Sequence, residues 1–308
     1  MTGATVSTPE EAEQRVREYK VAGFDLVKVH EGLTTEVFDA LAETAAEVGI
    51  PFGGHVPDLV GLRHALVVGQ SSIDHLDNYI EALVPGDPST ESPERPGEIA
   101  ELLDAVDVSL IPDLVQATVD AGAWVVPTMV FWETAVLSER SSDDVLGGRP
   151  EVRYMPPETV AAWRQAVDNR LAASDVASHR RLAALRRQIL QALHRGGARI
   201  ALGTDSPQVF NVPGFAVHHE MAFYVELGMT PYQVLELATR WPAEYFGATD
   251  DVGTVAEGRR ADLILLTASP LENIGNLSQR AGVMLNGRWF SEEEIQRRLE
   301  DIALFYGN

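Results

Sequence analysis

The chain has 308 residues, 46 acidic against 24 basic side chains for a formal charge of -22, 45% hydrophobic residues and no cysteine. This composition supplies ample core material and excludes a disordered polypeptide, a disulfide scaffold and a thiolate nucleophile, while the acidic balance argues against nucleic acid or an anionic membrane as partner. No stretch approaches the roughly 18 continuous apolar residues of a membrane span, and the first residues lack the basic flank and apolar run of a signal peptide, so the sequence as it stands is expected to be cytoplasmic.

A helix opens the chain. In TPEEAEQRVREYKVAG, Thr8 is placed to cap, Pro9 suits the first helical position, Glu11 completes a capping box and Gly23 ends the helix. Phe24 to His30 (FDLVKVH) is expected as a strand, Thr35 to Val48 as a helix closed by Gly49, and Ile50 to Val56 (IPFGGHV) as a second strand. The alternation continues with a helix from Leu59 to Val68, a strand from Ser71 to Asp77 (SSIDHLD), an interrupted helical region from Gly97 to Val119 and a strand from Ala123 to Val130 (AWVVPTMV). A long helical tract from Pro157 to Gly197 then leads into a strand from Ala198 to Ser206 (ARIALGTDS). Five apolar strands alternating with helices predict an α/β fold whose parallel sheet is covered on both faces.

Two connections, 84–96 and 137–157, follow strands and are rich in Pro, Gly and charge; each fits either a solvated insertion or a mobile lid. From Asp251 the pattern changes to short strands around Gly turns (DVGTVAEGRRADLILL, AGVMLNGRWF) and a terminal amphipathic helix (SEEEIQRRLEDIALF). The expected division is therefore 1–250 and 251–308, the latter a small β unit.

The ionisable residues fall at strand ends. Lys28 lies in FDLVKVH, His55 ends IPFGGH, Asp74 and His75 lie in SSIDHLD, and Asp205 ends ARIALGTD. In a parallel array these positions converge on the face where chemistry is assembled, and imidazole plus carboxylate suits zinc, manganese or iron. Spacings of 27, 20 and 130 residues are far too wide for a zinc finger. Singly, each residue has an ordinary explanation: a satisfied core histidine, a snorkelling lysine, a helix-capping aspartate. Together they favour a metal, because burying so many charges without one costs on the order of several kcal/mol each.

Among the other histidines, His64, His179 and His194 fit surface or capping positions, and His30 shares a strand face with Lys28. His218 and His219 follow Asp205 closely and are placed either to contact substrate or to serve structure. Trp132, Glu133 and Tyr154 fit a pocket lining as well as an exposed aromatic segment; Met129 fits the core.

The ordered motifs GGHVP, SIDHLD and ALGTDSP, followed by GMTPYQVLELATRWPAEYFG and DVGTVAEGRRADLILLTASPLENI, resemble the imidazolonepropionase-like and prolidase-like branch of the amidohydrolase superfamily over essentially the whole chain. That resemblance implies a (β/α)8 TIM-barrel type, here about strands 4 to 8, plus the C-terminal part of a small β-sandwich domain. It implies a centre of one or two divalent ions, most simply zinc with manganese or iron as alternatives, with Lys28 carboxylated by CO2 to a carbamate that bridges two of them. His55 and His75 would hold the second ion. Asp205 would ligate the first and shuttle the proton of a metal-activated water, with His219 and, less directly, His218 orienting the substrate. The implied reaction is hydrolysis of an amide or cyclic-amide C–N bond in a small molecule such as an N-acyl amino acid or dipeptide.

Members of that family carry a His-x-His pair on barrel strand one, and no His-x-His occurs in this sequence. The resemblance therefore implies an N-terminally incomplete hydrolase, whose absent beginning would leave room for a signal peptide. The alternatives are a short protein that assembles with a separate half-barrel or with copies of itself, and a metal-binding relative without catalysis. An incomplete barrel predicts poor solubility for the isolated chain, since its hydrophobic strand edges would be uncovered.

Overall fold

The computed structural model describes residues 4–86, 96–173 and 175–307. The helices are α1 (Pro9–Val21), α2 (Thr35–Val48), α3 (Leu62–Val67), α4 (Pro96–Ala105), α5 (Ile111–Ala121), α6 (Met129–Phe131), α7 (Ser142–Leu146), α8 (Pro157–Ala173), α9 (Val176–Arg195), α10 (Ala216–Glu226), α11 (Pro231–Ala238), α12 (Arg240–Tyr245) and α13 (Glu292–Phe305). The strands are β1 (Val27–Val29), β2 (Phe52–Gly54), β3 (Ser72–Asp74), β4 (Trp124–Val126), β5 (Arg199–Ile200), β6 (Leu263–Leu266), β7 (Arg280–Leu285) and β8 (Arg288–Ser291). They fall into two compact units, Met1–Pro127 with Ala184–Ile200, and Thr128–Ala183 with Ala201–Asn308. Among the described residues no helix is long and apolar enough to cross a membrane.

The first unit is built on a parallel sheet of order β1-β2-β3-β4-β5. Spatial order equals sequence order because each connection carries the chain forward by one strand, the repeating unit of a β/α barrel wall. The helix expectations hold closely. Thr8 caps α1 through Glu11 N–H, although the Glu11 carboxylate reaches back to Ser7 N–H at 2.7 Å. Thr34 caps α2, and Gly49 closes it with φ 66°.

The strands are shorter than the apolar runs predict. After β3 the chain leaves the sheet at once, because His75, Leu76 and Asn78 all adopt left-handed backbone with φ 58°. After β4, Pro127 offers no N–H to a ladder and Thr128 turns left-handed at φ 46°, so the end of AWVVPTMV becomes α6 rather than strand.

In the second unit, the connection at 137–157 is neither a loose insertion nor an unpacked lid. Ser141 and Asp144 form a capping box on α7, and Val145 and Val152 are buried in a cluster with Trp163, Val167, Phe210 and Val212. The other long connection, 84–96, has residues 87–95 outside the described residues. The helical tract from Pro157 splits into α8 and α9, with Asp175 accepting Ala177 N–H at 3.1 Å to start the second. The same unit holds an antiparallel sheet of order β6-β7-β8, whose β7–β8 turn places Asn286 and Gly287 at φ 49° and 76° as a tight hairpin requires.

Candidate functional site

The first unit gathers Lys28, His55 and His75 at the C-terminal side of β1, β2 and β3. Two glycines make this possible. A side chain at Gly53 would strike Ser72 Oγ, and one at Gly54, φ 114°, would lie 2.6 Å from Val29 O, so GGH lets three backbones approach just before the histidine. The His55 N–H then bonds Val29 O at 3.1 Å and the His75 N–H bonds Val126 O at 2.8 Å, anchoring each imidazole to a neighbouring strand.

Behind them the buried Gln70 amide donates to Gly54 O (3.2 Å), His55 O (3.1 Å) and Ser72 O (3.0 Å), tying the ends of β2 and β3 together. Arg186, also buried, donates to His75 O. Asn78 donates to Val56 O at 2.9 Å. The His30, His55 and His75 rings form a row, with centroids 4.5 Å and 4.7 Å apart.

Charged partners complete the cluster. Lys28 Nζ bonds Asp74 Oδ2 at 2.6 Å. His55 Nδ1 lies 2.8 Å from Asp77 Oδ2 and 3.8 Å from Glu31 Oε1, and Glu31, His55 and Asp77 each offer one ligand atom with all three within 4.8 Å. Burial alone would lower the His55 pKa, but the hydrogen bond and charge of Asp77 outweigh it and raise it above the ordinary imidazole value. Three non-glycine residues in left-handed backbone around Asp77 each cost on the order of 1 kcal/mol, a strain that folds retain chiefly at functional positions.

Asp205, His218 and His219 belong to the second unit. Asp205 follows β5 with left-handed backbone, φ 54°, and Asn211 Nδ2 fixes the adjacent Thr204 O at 3.1 Å. His219 Nε2 bonds the buried Glu151 at 2.7 Å. Burial would raise the Glu151 carboxyl, but His219 and then Arg149 hold it below its usual value. Burial, with help from Arg280 and His219, lowers the pKa of His218. Tyr154 stacks on Phe215 at 5.3 Å, and Met129 is fully buried, as expected. His64 pairs with Asp39 at 2.6 Å, whereas His179, expected at the surface or a cap, is buried at 7% exposure.

Sequence reasoning missed Glu31, Gln70, Asp77 and Arg186. Asp77 lies in SSIDHLD two residues past His75, where an unbroken strand would put both on one side, but the left-handed turn at His75 and Leu76 replaces that alternation. Gln70 carried no such signal, since nothing in a sequence shows which carbonyls an amide will meet.

The amidohydrolase family model matches residues 27–290, spanning β1 to β8. The chain belongs to the amidohydrolase family. Its fold resembles the solved bottromycin amidohydrolase, with TM-score 0.72 and 25% identity, covering 100% of this chain and 64% of that one. It also resembles a Xaa-Pro dipeptidase solved with bound methionine, with TM-score 0.60 and 19% identity, covering 93% of this chain and 59% of that one. Adenine deaminase of Rubrobacter xylanophilus (strain DSM 9941 / JCM 11954 / NBRC 16129 / PRD-1) is 37% identical over 103 residues, 31% of this chain and 16% of that protein. The chain thus spans about three-fifths of the two solved relatives and a much smaller share of the curated one. It is an α/β protein of an enzyme family, with a five-stranded parallel sheet and a small antiparallel sheet like those of amidohydrolase TIM-barrel structures. The family is generally metal-dependent, and the cluster around His55 has the imidazole and carboxylate donors that a divalent ion takes.

Proposed function

We propose that this chain carries part of the active site of a metal-dependent hydrolase that cleaves an amide or cyclic-amide C–N bond in a small molecule, such as an N-acyl amino acid or a dipeptide. The observation that carries this is the convergence of Lys28, His55 and His75 at the ends of consecutive parallel strands in a chain of the amidohydrolase family. The names of its relatives, an amidohydrolase and a dipeptidase, point to the same bond.

In this reading His55 and His75 hold a divalent ion, zinc by donor type with manganese or iron as alternatives. Lys28 contributes after its neutral amine adds CO2, forming a carbamate with loss of a proton, which requires the Lys28 ammonium to leave Asp74. When bound, the metal supplies Lewis acidity, which makes water a nucleophile near neutral pH and polarises the carbonyl. Asp205 takes the proton of the attacking water as its oxygen bonds the acyl carbon, then delivers it to the nitrogen as the C–N bond breaks. His219, fixed by Glu151, and its neighbour His218 orient the substrate.

The test is amine release from a panel of N-acyl amino acids, Xaa-Pro dipeptides and cyclic amides with zinc or manganese. Asp205→Ala and Lys28→Ala are each expected to lower kcat by about 100-fold or more. Turnover that survives chelation, or that Asp205→Ala leaves intact, overturns the assignment.

A further inference from the structure

Lys28, as it stands, is not a metal ligand: its ammonium is held by Asp74 at 2.6 Å. The donors already facing one another are Glu31, His55 and Asp77. We propose that these three form a divalent-cation site that fills without modification of Lys28. This deepens the metal reading above, sharing His55 with it, but it does not depend on the carbamate.

The geometry is close to what a small cation needs. Three ligand atoms each about 2.1 Å from a tetrahedral ion lie about 3.4 Å from one another. Here two pairs straddle that value, His55 to Asp77 at 2.8 Å and His55 to Glu31 at 3.8 Å, with no pair beyond 4.8 Å. Small rotations of the Glu31 side chain close the set.

Rigidity is distributed in the way such a site uses it. Asp77 and His55 are mostly buried, their side chains 12% and 15% exposed, while that of Glu31 is 60% exposed and free to swing in as the ion arrives. His55 is anchored through its N–H to Val29 O and through its carbonyl to Gln70, so the imidazole is presented rather than recruited. Asp77 is fixed by the left-handed turn and by its N–H bond to Asp74 O at 3.0 Å.

The charge balance points the same way. Two carboxylates and a neutral imidazole carry two negative charges, which a divalent ion cancels, while the nearby Lys28 charge is already paired with Asp74. Imidazole with two carboxylates is a mixed set that accepts zinc, manganese or iron(II) and disfavours copper(I). Water would complete the coordination.

The experiment uses the full chain, stripped of metal, in CO2-depleted buffer, titrated with Zn2+ by calorimetry and with Co2+ by its visible spectrum. About one equivalent is expected to bind without bicarbonate. Glu31→Gln and Asp77→Asn are each expected to weaken binding by about tenfold or more, and Lys28→Ala is expected not to weaken it. Should Asp77→Asn disturb the fold, Glu31→Gln decides, because that side chain is exposed. Absence of binding until bicarbonate is added, with loss of that binding in Lys28→Ala, overturns this site while leaving the carbamate reading standing. Binding that both carboxylate variants leave unchanged, or no binding under either condition, overturns it as well.

Discussion

Two charged clusters, one in each unit, are built on opposite principles. In the second unit the buried carboxylates are tied to donors: Glu220, wholly buried, takes Met129 N–H on one oxygen at 2.7 Å and Val130 N–H on the other at 2.8 Å, and Glu151 takes His219 on Oε1 with Arg149 nearby. At the C-terminal side of β1 to β3 in the first unit, by contrast, Glu31 and Asp77 converge on one imidazole while three imidazoles stand in a row. A saturated carboxylate is scaffolding, since its energy is already used in holding backbone. A surplus of donors around one point is the arrangement that a cation completes.

Three substitutions test that contrast. Glu220→Ala strips the acceptor from two buried amides at the start of α6 and should lose about 3 kcal/mol or more of unfolding free energy in urea. A midpoint unchanged by this substitution would break the idea that the second cluster is structural. Gln70→Leu leaves three carbonyls without their donor and should lose about 1–3 kcal/mol, together with a measurable fall in Zn2+ affinity as His55 loosens. Loss of stability with affinity intact would show that Gln70 supports the sheet but not the site.

The smallest effect is expected at Glu81, and its sign depends on pH. Burial, aided by the nearby negative charges of Asp58 and Asp77 and opposed by Arg186, raises its pKa in the folded chain. A raised pKa favours folding below the ordinary carboxylate range and loses that contribution as pH climbs through the folded value. Glu81→Gln, neutral throughout, should therefore melt higher than the parent at pH 7, with the gap closing as pH falls below about 4. A gap that widens on acidification would contradict the burial effect.

Helix positions were legible in the sequence because their signals are local. Thr34 and Gly49 bound α2 where capping chemistry places them, and Thr8 with Pro9 starts α1. Strand ends were not legible, because β-propensity says nothing about where a left-handed turn intervenes; SSIDHLD was expected as strand throughout, but only Ser72–Asp74 pair in the sheet. The connection at 137–157 misled by composition. Its Gly, Pro and charges suggested a loose segment, yet Val145 and Val152 pack with Trp163 of the following helix and with Phe210, far along the chain. In the candidate site, Lys28, His55 and His75 were visible as ionisable residues interrupting apolar strands. Gln70, Asp77 and Glu31 were not, since their meaning lies in which atoms they face.

The sequence by itself determined the α/β alternation, the helix caps and the gathering of ionisable groups at strand ends, because each depends on neighbours within a few positions along the chain. Tertiary structure alone decided that Lys28 pairs with Asp74, that Gln70 ties β2 to β3, and that Glu31 and Asp77 meet on His55. Those pairings join residues 15 to 46 positions apart, or across a turn whose backbone signs no residue type dictates, and only packed strands bring their atoms within ångströms.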